Sequence, residues 1–375
     1  MVQNFIMKKS FLYFQMILIL AVHAVFSNAC GQDLIYRDTI LNKLTELKNE
    51  SNVKALIAGV WKGDKEIITL AFGESMTLVP ADDIMHLRIG GVSETFLGTL
   101  LMILAEKGSI RLDEKISKWM PELLAADQVT PEMLIKNTAG YKDYVLNKDF
   151  IELITKEPFR NVSRKEIINY STSGGELNFP PGTDQKYSHT EFTILGEIIE
   201  RATGIPIYKL YEDNIFKPLG LINTGYSVNS ELPSPVLHSF SSDRGIYEDA
   251  TFWNPSWTGE SGPLYSNLHD LGKWGNIFGK GKMLSKEFFE KLIRRPEGAV
   301  LPDLYFASGF VVANGWYIQN PSFNGFSGAF GYLPSEELIV VIFTTKSDDV
   351  KQETNAFQIF KELIKMITPD SEINF

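Results

Sequence analysis

The sequence predicts an α+β fold in which one antiparallel sheet, built from both chain ends and flanked by helices, is interrupted by an inserted all-helical domain. Two observations predict it. Strand-like apolar runs occur near residues 55–73 and again after residue 304, whereas residues from about 93 to 290 show largely helical periodicity. Because each strand group is short alone, pairing the two groups into one sheet is the economical arrangement.

The elements follow in this order along the chain. Residues 35–48 form an amphipathic pattern with Leu41, Leu44 and Leu47 near one face, which predicts a helix. Apolar runs at 55–61 and 66–73, separated by the turn-like KGDK, predict a β-hairpin. Helical segments fill the middle, strands return from 304 onward, and a helix is predicted at about 352–367.

These elements predict three parts of the chain. Residues 1–29 are expected to be a signal peptide. Residues 30–80 and 295–375 are expected to form the sheet domain with its terminal helices, and residues 81–294 the helical domain.

Composition excludes several classes of protein. The chain has 375 residues, 44% of them hydrophobic, which is typical of a folded globular protein and not of a disordered one. A net charge of −10 argues against a nucleic-acid partner. Cys30 is the only cysteine, so neither an internal disulfide nor a cysteine metal cage is possible.

The first thirty residues resemble an export signal. Lys8 and Lys9 precede an apolar run from Phe11 to Phe26, which is short for a membrane span. Small residues before Cys30 predict cleavage after Ala29, by either a lipoprotein signal peptidase or an ordinary one. We therefore expect a protein secreted across the inner membrane, periplasmic or anchored to the envelope through a lipid on Cys30.

Five phrases in a fixed order carry a family resemblance. They are LRIGGVSETF at 87–96, PEMLIKNTAGY at 131–141, PGTDQKYSHTEFTILGEIIERATG at 181–204, NIFKPLGLINTGY at 214–226 and SGPLYSNLHDLGKW at 261–274. In this order they resemble the serine β-lactamases, DD-carboxypeptidases and related esterases, specifically the class C-like branch. The resemblance covers most of the chain after the signal and implies a β-lactamase/transpeptidase-like fold and serine hydrolase ancestry.

The catalytic positions that the resemblance identifies are changed. The family reaction uses a Ser at a helix start and a Lys three residues later, on the same helix face. Here those positions carry Gly91 and Glu94. Glycine offers no hydroxyl, and a carboxylate disfavours the anionic intermediate that such sites stabilise. Ser93 is a poor substitute, because its matching Lys position is Phe96.

Two further motifs depart from the family pattern. The family's Tyr-x-Asn resembles Tyr187-Ser188-His189, which keeps the Tyr, a general acid/base in that branch, but replaces the amide with imidazole. The third motif aligns as Phe326-Ser327-Gly328, with Asn324-Gly325 as an alternative register. Ser93, Ser327 and Gly328 are expected to line the pocket.

The loop ATFWNPSWTG carries Trp253 and Trp257, which could line a carbohydrate or peptide cleft or pack in the core. No cofactor is expected, and His86, His238 and His269 show no metal-ligand spacing.

Three hypotheses follow. The first is an inactive envelope protein that binds a peptidoglycan peptide or another small envelope molecule as a regulatory pseudoenzyme. The second is an esterase, carboxypeptidase or amidase that works through a remodelled site of Glu94, Tyr187 and His189. The third is a filled cleft with a working outer surface.

Overall fold

The computed structural model describes residues 36–348 and 356–373. The predicted signal peptide and Cys30 therefore lie outside the described residues, and so do residues 352–355, where the C-terminal helix was predicted to begin. The described residues divide into two units, one ending at Leu47 and the other beginning at Lys48. The larger unit contains the sheets and every element discussed as a site below.

Helices are numbered along the chain. They are α1 36–50, α2 Val92–Glu106, α3 Pro131–Ile135, α4 Lys148–Lys156, α5 Arg164–Thr172, α6 His189–Thr203, α7 Ile207–Tyr211, α8 Lys217–Leu219, α9 Leu268–Gly279, α10 Lys286–Ile293 and α11 Ala356–Ile367.

Strands are numbered in the same way. They are β1 Val53–Lys62, β2 Lys65–Met76, β3 Val79–Pro80, β4 Leu87–Arg88, β5 Gly225–Tyr226, β6 Phe240–Ser241, β7 Glu248–Asp249, β8 Leu264–Ser266, β9 Leu304–Phe306, β10 Val311–Ala313, β11 Trp316–Gln319, β12 Ser322–Phe323, β13 Phe326–Leu333 and β14 Leu338–Lys346.

The main sheet joins the two ends of the chain as predicted. Its strand order is β3-β2-β1-β14-β13-β11-β10-β9, with β12 beside β13, and its neighbouring strands are antiparallel. The central contact pairs β1 with β14, placing Gly59 opposite Val341. The predicted fold class, an antiparallel sheet flanked by helices, is confirmed.

Helices cover both faces of this sheet. A side chain added at Gly279 of α9 would meet Tyr332, whereas one added at Gly331 would meet Phe360 of α11. Tyr332 and Gly331 are adjacent in β13, and successive strand residues point to opposite faces. Helices α9 and α11 therefore lie on opposite sides, with α9 also against Ile339 of β14.

The middle of the chain is not wholly helical. A three-stranded sheet orders β4-β8-β5, and β6 pairs with β7. Each of these strands has two or three residues. Such strands are too short to show a period of two in the sequence, so periodicity alone could not predict them. Strand β4 leads directly into α2, whose start is described below.

Candidate active site

Helix α2 carries the first two predicted site positions. Its core side is fixed by Phe96, which stacks on Trp274 with ring centroids 3.9 Å apart. The indole nitrogen of Trp274 also donates a hydrogen bond to the Thr95 hydroxyl at 2.9 Å. This packing holds the beginning of α2, with Gly91 as its N-cap residue, at the wall of a large cavity.

Glu94 lies one turn into α2 and is fully buried. Its Oε1 accepts a short hydrogen bond from the Tyr187 hydroxyl, and its Oε2 accepts one from Nε2 of Gln319 at 2.8 Å. Burial raises the pKa of Glu94 well above its usual range. The two hydrogen bonds oppose that shift, and the nearby charge of Asp143 adds to it.

Tyr187 lies between Glu94 and His189 and contacts both. Its hydroxyl contacts Glu94, and its ring meets that of His189 edge to face, with centroids 4.7 Å apart. Desolvation of the hydroxyl, followed by the charge of Glu94, raises the pKa of Tyr187 well above its ordinary value. Tyr187 is 38% exposed and lines the cavity, so a molecule in the cavity can reach it.

A buried carboxylate fastens the neighbouring loop to α6. Glu191 accepts backbone hydrogen bonds from Ala139, Gly140 and Tyr141, at 3.2, 2.9 and 3.0 Å. The Asn137 side chain accepts a further bond from the backbone N–H of Ser188 at 2.7 Å. These hydrogen bonds join the loop at residues 137–141 to the start of α6, about fifty residues later in the sequence. The residues that follow the loop are thereby brought close to the first residues of α6.

His189 is held by a residue that the sequence argument missed. Its Nδ1 lies 2.8 Å from Oδ2 of Asp143, which directly follows the loop fastened by Glu191. His189 does not hydrogen-bond directly to Glu94. Tyr187 lies between them instead, with Glu94 at its hydroxyl and His189 at its ring face.

The cavity has a volume of about 780 Å³ and is open to solvent. Gly91, Glu94, Tyr187, His189 and Trp257 all line it, so the structure brings together five of the predicted residues. Its apolar walls include Val145, Ile151, Ala299, Val300, Leu301, Leu304, Tyr305, Phe306 and Val311.

Gln319, at the end of β11, is the second residue that sequence reasoning missed. Besides Glu94, its Nε2 donates to the carbonyl of Gly309 at 2.8 Å. A Cβ built on Gly91 would lie 2.9 Å from its Oε1, closer than side chains normally approach. The available sequence signal was a polar residue within the strand-like stretch after residue 304, and neither register given for the third motif includes it.

Five predicted residues lie away from this cavity. Phe326 is buried in the core of β13, and Ser327 accepts a hydrogen bond from the backbone of Ala356. Gly328 faces Phe343 and Pro321, and Ser93 accepts from the backbone N–H of Leu264 at 3.2 Å. Trp253 is buried beside a separate cavity of about 190 Å³. The prediction that these residues line the pocket is therefore wrong. Strand β11 contributes Gln319 to the pocket instead, and β13 is its neighbour in the sheet.

Metal and membrane sites were also sought among the described residues. In 36–348 and 356–373, His, Cys, Asp and Glu side chains do not gather in groups of three that could hold a metal ion. Over the same ranges, helices fall short of the length and apolar content required to cross a bilayer.

Comparison with known proteins gives a consistent family assignment. The family model described as Beta-lactamase matches residues 41–363. Among curated proteins, a putative penicillin-binding protein, PbpX, of Bacillus subtilis is 20% identical over 76% of this chain and 69% of its own length. A D-aminopeptidase of Cereibacter sphaeroides is 25% identical over 62% of this chain, which spans only 45% of that relative.

Solved structures show the same fold. The D-amino acid amidase of Ochrobactrum anthropi SV3, complexed with D-phenylalanine, has a TM-score of 0.75 and 20% identity, covering 88% of this chain and 98% of its own. A D-stereospecific amidohydrolase from Streptomyces sp. has a TM-score of 0.74 and 21% identity, covering 84% and 94%. At these identities the likeness concerns the fold alone.

Proposed function

The chain belongs to the beta-lactamase family, and from this premise we propose that it is a ligand-binding member that has lost serine acylation. One observation carries the proposal. Gly91 occupies the start of α2 at the wall of an open cavity of about 780 Å³, where the family resemblance expects the nucleophile. The cavity remains, and the residue at that position has no hydroxyl to acylate.

The neighbourhood of Gly91 supports the same proposal. Glu94 occupies the position where the resemblance expects a lysine, and its carboxyl accepts hydrogen bonds from Tyr187 and Gln319. An acyl transfer site must stabilise negative charge in its transition state. A carboxyl in place of the lysine supplies no positive charge to that transition state, so this part of the cavity suits recognition better than acylation.

The proposed setting is the bacterial envelope. The pattern at residues 1–29, which resembles an export signal, motivates it, with a peptidoglycan peptide or another small envelope molecule as ligand and with Cys30 as the lipid attachment point. The similarity to a putative penicillin-binding protein favours a cell-wall ligand. In this setting the protein would act as a binding or regulatory pseudoenzyme.

A labelling experiment tests the loss of acylation. The purified protein is incubated with a fluorescent penicillin and with a fluorophosphonate, before and after heat denaturation. We expect no covalent label that depends on the folded state. Such labelling of the wild type would overturn the proposal. Thermal shift with soluble muropeptides then tests the ligand: if none stabilises the protein, the peptidoglycan part of the proposal fails.

A second candidate function is favoured by the His189 pair. Nδ1 of His189 lies 2.8 Å from Asp143, and His189 lines the cavity. A carboxylate at one imidazole nitrogen fixes the tautomer and orients the other nitrogen, as general bases require. With Tyr187 and Glu94 as proton donors, this arrangement suits attack of water on an ester, lactone or amide without a covalent intermediate.

This candidate predicts turnover with a bell-shaped pH profile. The double variant Glu94→Gln, His189→Ala should abolish it, and Asp143→Asn should lower kcat more than it changes KM. Equal activity of the wild type and the double variant would remove the basis for a hydrolase.

A further inference from the structure

The cavity is unusual in the charges that surround it. Among its lining residues, all within the described part of the chain, the acidic ones are Glu94 and Asp184, and none is Lys or Arg. Asp143 stands just behind His189. A carboxylate entering this cavity would therefore meet acidic groups and would find no lysine or arginine on its walls.

Two cations on segments that border the cavity are engaged elsewhere. Arg295 donates to the carbonyl of Ala299 at 3.0 Å, from outside the cavity wall. The ammonium group of Lys136 is almost fully buried and pairs with Glu132 at 2.9 Å. Since both groups already have partners and neither lines the cavity, they do not change the sign of its charge.

The start of α2 does not offer a compensating anion site. Backbone N–H groups at a helix start normally attract anions. Here those of Val92, Ser93 and Glu94 already bond to the carbonyls of Ile89, Gly90 and Gly91, at 3.2, 2.9 and 3.0 Å. Glu94 also sits in the first turn, where its carboxyl interacts favourably with the helix dipole.

The walls favour a cation with an apolar body. Tyr187, Trp257, Tyr305 and Phe306 supply aromatic rings around the cavity. An ammonium group within about 6 Å of the centroid of such a ring is attracted by the negative face of the ring. At the rim, Val300 is 83% exposed, so an apolar body entering the cavity would cover surface now facing water.

We infer that this cavity selects an organic ammonium ion with an apolar body over the corresponding carboxylate, with the ring of Tyr187 receiving the charged head and the buried carboxyl of Glu94 lying behind the Tyr187 hydroxyl. The inference rests on the proposed binding function and names the ligand class of that site. It separates this chain from sites that hold a ligand carboxylate through a lysine or an arginine.

Binding of an ammonium ion should also release a proton. Burial raises the pKa of Glu94, so the carboxyl holds its proton at pH values where an ordinary glutamate is ionised. A cation beside it favours the ionised form. The groups that face Glu94 are Tyr187, Gln319, Tyr144 and Asp143. None of the four carries a positive charge that would already have drawn the proton away.

Calorimetry with matched probes tests the inference. Tryptamine, indole-3-propionate and indole-3-propionamide share one apolar body and carry a cationic, an anionic and a neutral head. We expect tryptamine to bind at least about tenfold more tightly than the propionate, which corresponds to a difference of about 1.4 kcal/mol in binding free energy. In buffers of different ionisation enthalpy, tryptamine binding should release up to one proton per protein, and its affinity should rise with pH.

Two variants complete the test. Glu94→Gln keeps the shape of the side chain and should lose both the proton release and most of the preference for tryptamine. Glu231→Gln, at an exposed position that does not line the cavity, should keep both. The proton measurement uses the wild type alone, so a poorly folded Glu94→Gln protein would not stop the test.

The outcomes separate the two proposals. Binding of the propionate as tight as that of tryptamine, or tryptamine binding without proton release, would overturn the ammonium inference and leave the binding function standing. The cationic, anionic and neutral heads are also tested on a cyclohexyl body. If no probe binds at millimolar concentration, with either the indole or the cyclohexyl body, the binding function itself is overturned.

Discussion

Nε2 of Gln319 lies 2.8 Å from Oε2 of Glu94, across 225 positions of sequence. The same nitrogen donates to the carbonyl of Gly309, and the other oxygen of Glu94 accepts from Tyr187. The end of β11 is thus tied to the first turn of α2 at the floor of the cavity. The carboxyl of Glu94 is buried and accepts hydrogen bonds from two neutral donors. Its protonation state therefore determines how this part of the cavity responds to pH and to ligands.

Replacing Gln319 with Leu should destabilise the protein. The change leaves Oε2 of Glu94 without its donor, and the loss of one hydrogen bond to a buried, ionisable group costs roughly 1–3 kcal/mol. It should also raise the pKa of Glu94 further, because that bond favours the ionised form. Urea unfolding measures the stability, with Asn320→Ala as an exposed control beside it. Equal unfolding midpoints for all three proteins would contradict the importance of the bond.

Glu94 should make stability fall as pH rises. Its pKa is raised by burial in the folded protein, whereas in the unfolded chain it titrates near the ordinary value of about 4.3. Between these two values the folded state binds more protons than the unfolded state, so the free energy of unfolding declines with increasing pH. The stabilisation is complete below the unfolded pKa and is lost as pH passes the folded one.

Glu94→Gln isolates this contribution. An amide can keep both partners, since the hydroxyl of Tyr187 can accept from it while its oxygen accepts from Gln319. Relative to the variant, the wild type should therefore lose stability steadily from about pH 4 upward. Urea unfolding of both proteins across this range, taken as a difference, removes the effect of other buried carboxyls such as Glu191. A difference that stays constant with pH would refute the raised pKa.

The sheet could be predicted from sequence because its signals are local. The hairpin predicted at 55–61 and 66–73 is observed as β1 and β2, slightly longer at each end. The joining of the two strand groups into one sheet followed from a packing argument, since neither strand group could bury a face alone. The short strands β4 to β8 depend on tertiary contacts and left no periodic pattern.

The site was only partly predictable, because some of its contacts join residues that are far apart in the sequence. Glu94, Tyr187 and His189 were found through phrases contiguous in the sequence. Asp143 and Gln319 matter through contacts across 46 and 225 positions, and neither residue type is distinctive at its place in the chain. Their role arises where separate elements meet, so it appears only in three dimensions.

Gly98 should tolerate no larger residue. Alanine in a helix is usually more stable than glycine by roughly 0.5–1 kcal/mol. In α2, however, a Cβ at Gly98 would lie 2.0 Å from the backbone oxygen of Ser308. Relief requires movement of backbone, so Gly98→Ala should cost roughly 1–3 kcal/mol. Gly174→Ala is the control, because its nearest neighbour would be the flexible end of Lys142 at 3.8 Å.

Thermal and urea unfolding of the two glycine variants check this expectation. Gly98→Ala should also weaken tryptamine binding, since the segment it displaces leads into Gly309, whose carbonyl helps hold Gln319. Unchanged stability in both variants would mean that the contact between α2 and residue 308 is looser than the structure indicates.

Restoring the two family residues should restore acylation stepwise. Gly91→Ser alone supplies a hydroxyl, but its Cβ would crowd Oε1 of Gln319 at 2.9 Å, and Glu94 would still stand where a lysine is needed. We expect this single variant to remain unlabelled by fluorescent penicillin. Gly91→Ser with Glu94→Lys places a hydroxyl and an ammonium three residues apart on one helix face, so the double variant should label slowly.

Circular dichroism and unfolding curves must first show that each variant is folded. Glu94→Lys alone is the matched control, because it changes the charge without providing a nucleophile. Labelling of Gly91→Ser as fast as the double variant would show that the lysine position is dispensable here. A folded double variant that stays unlabelled would show that Gln319 and His189 block acylation as well, which the stepwise expectation does not allow.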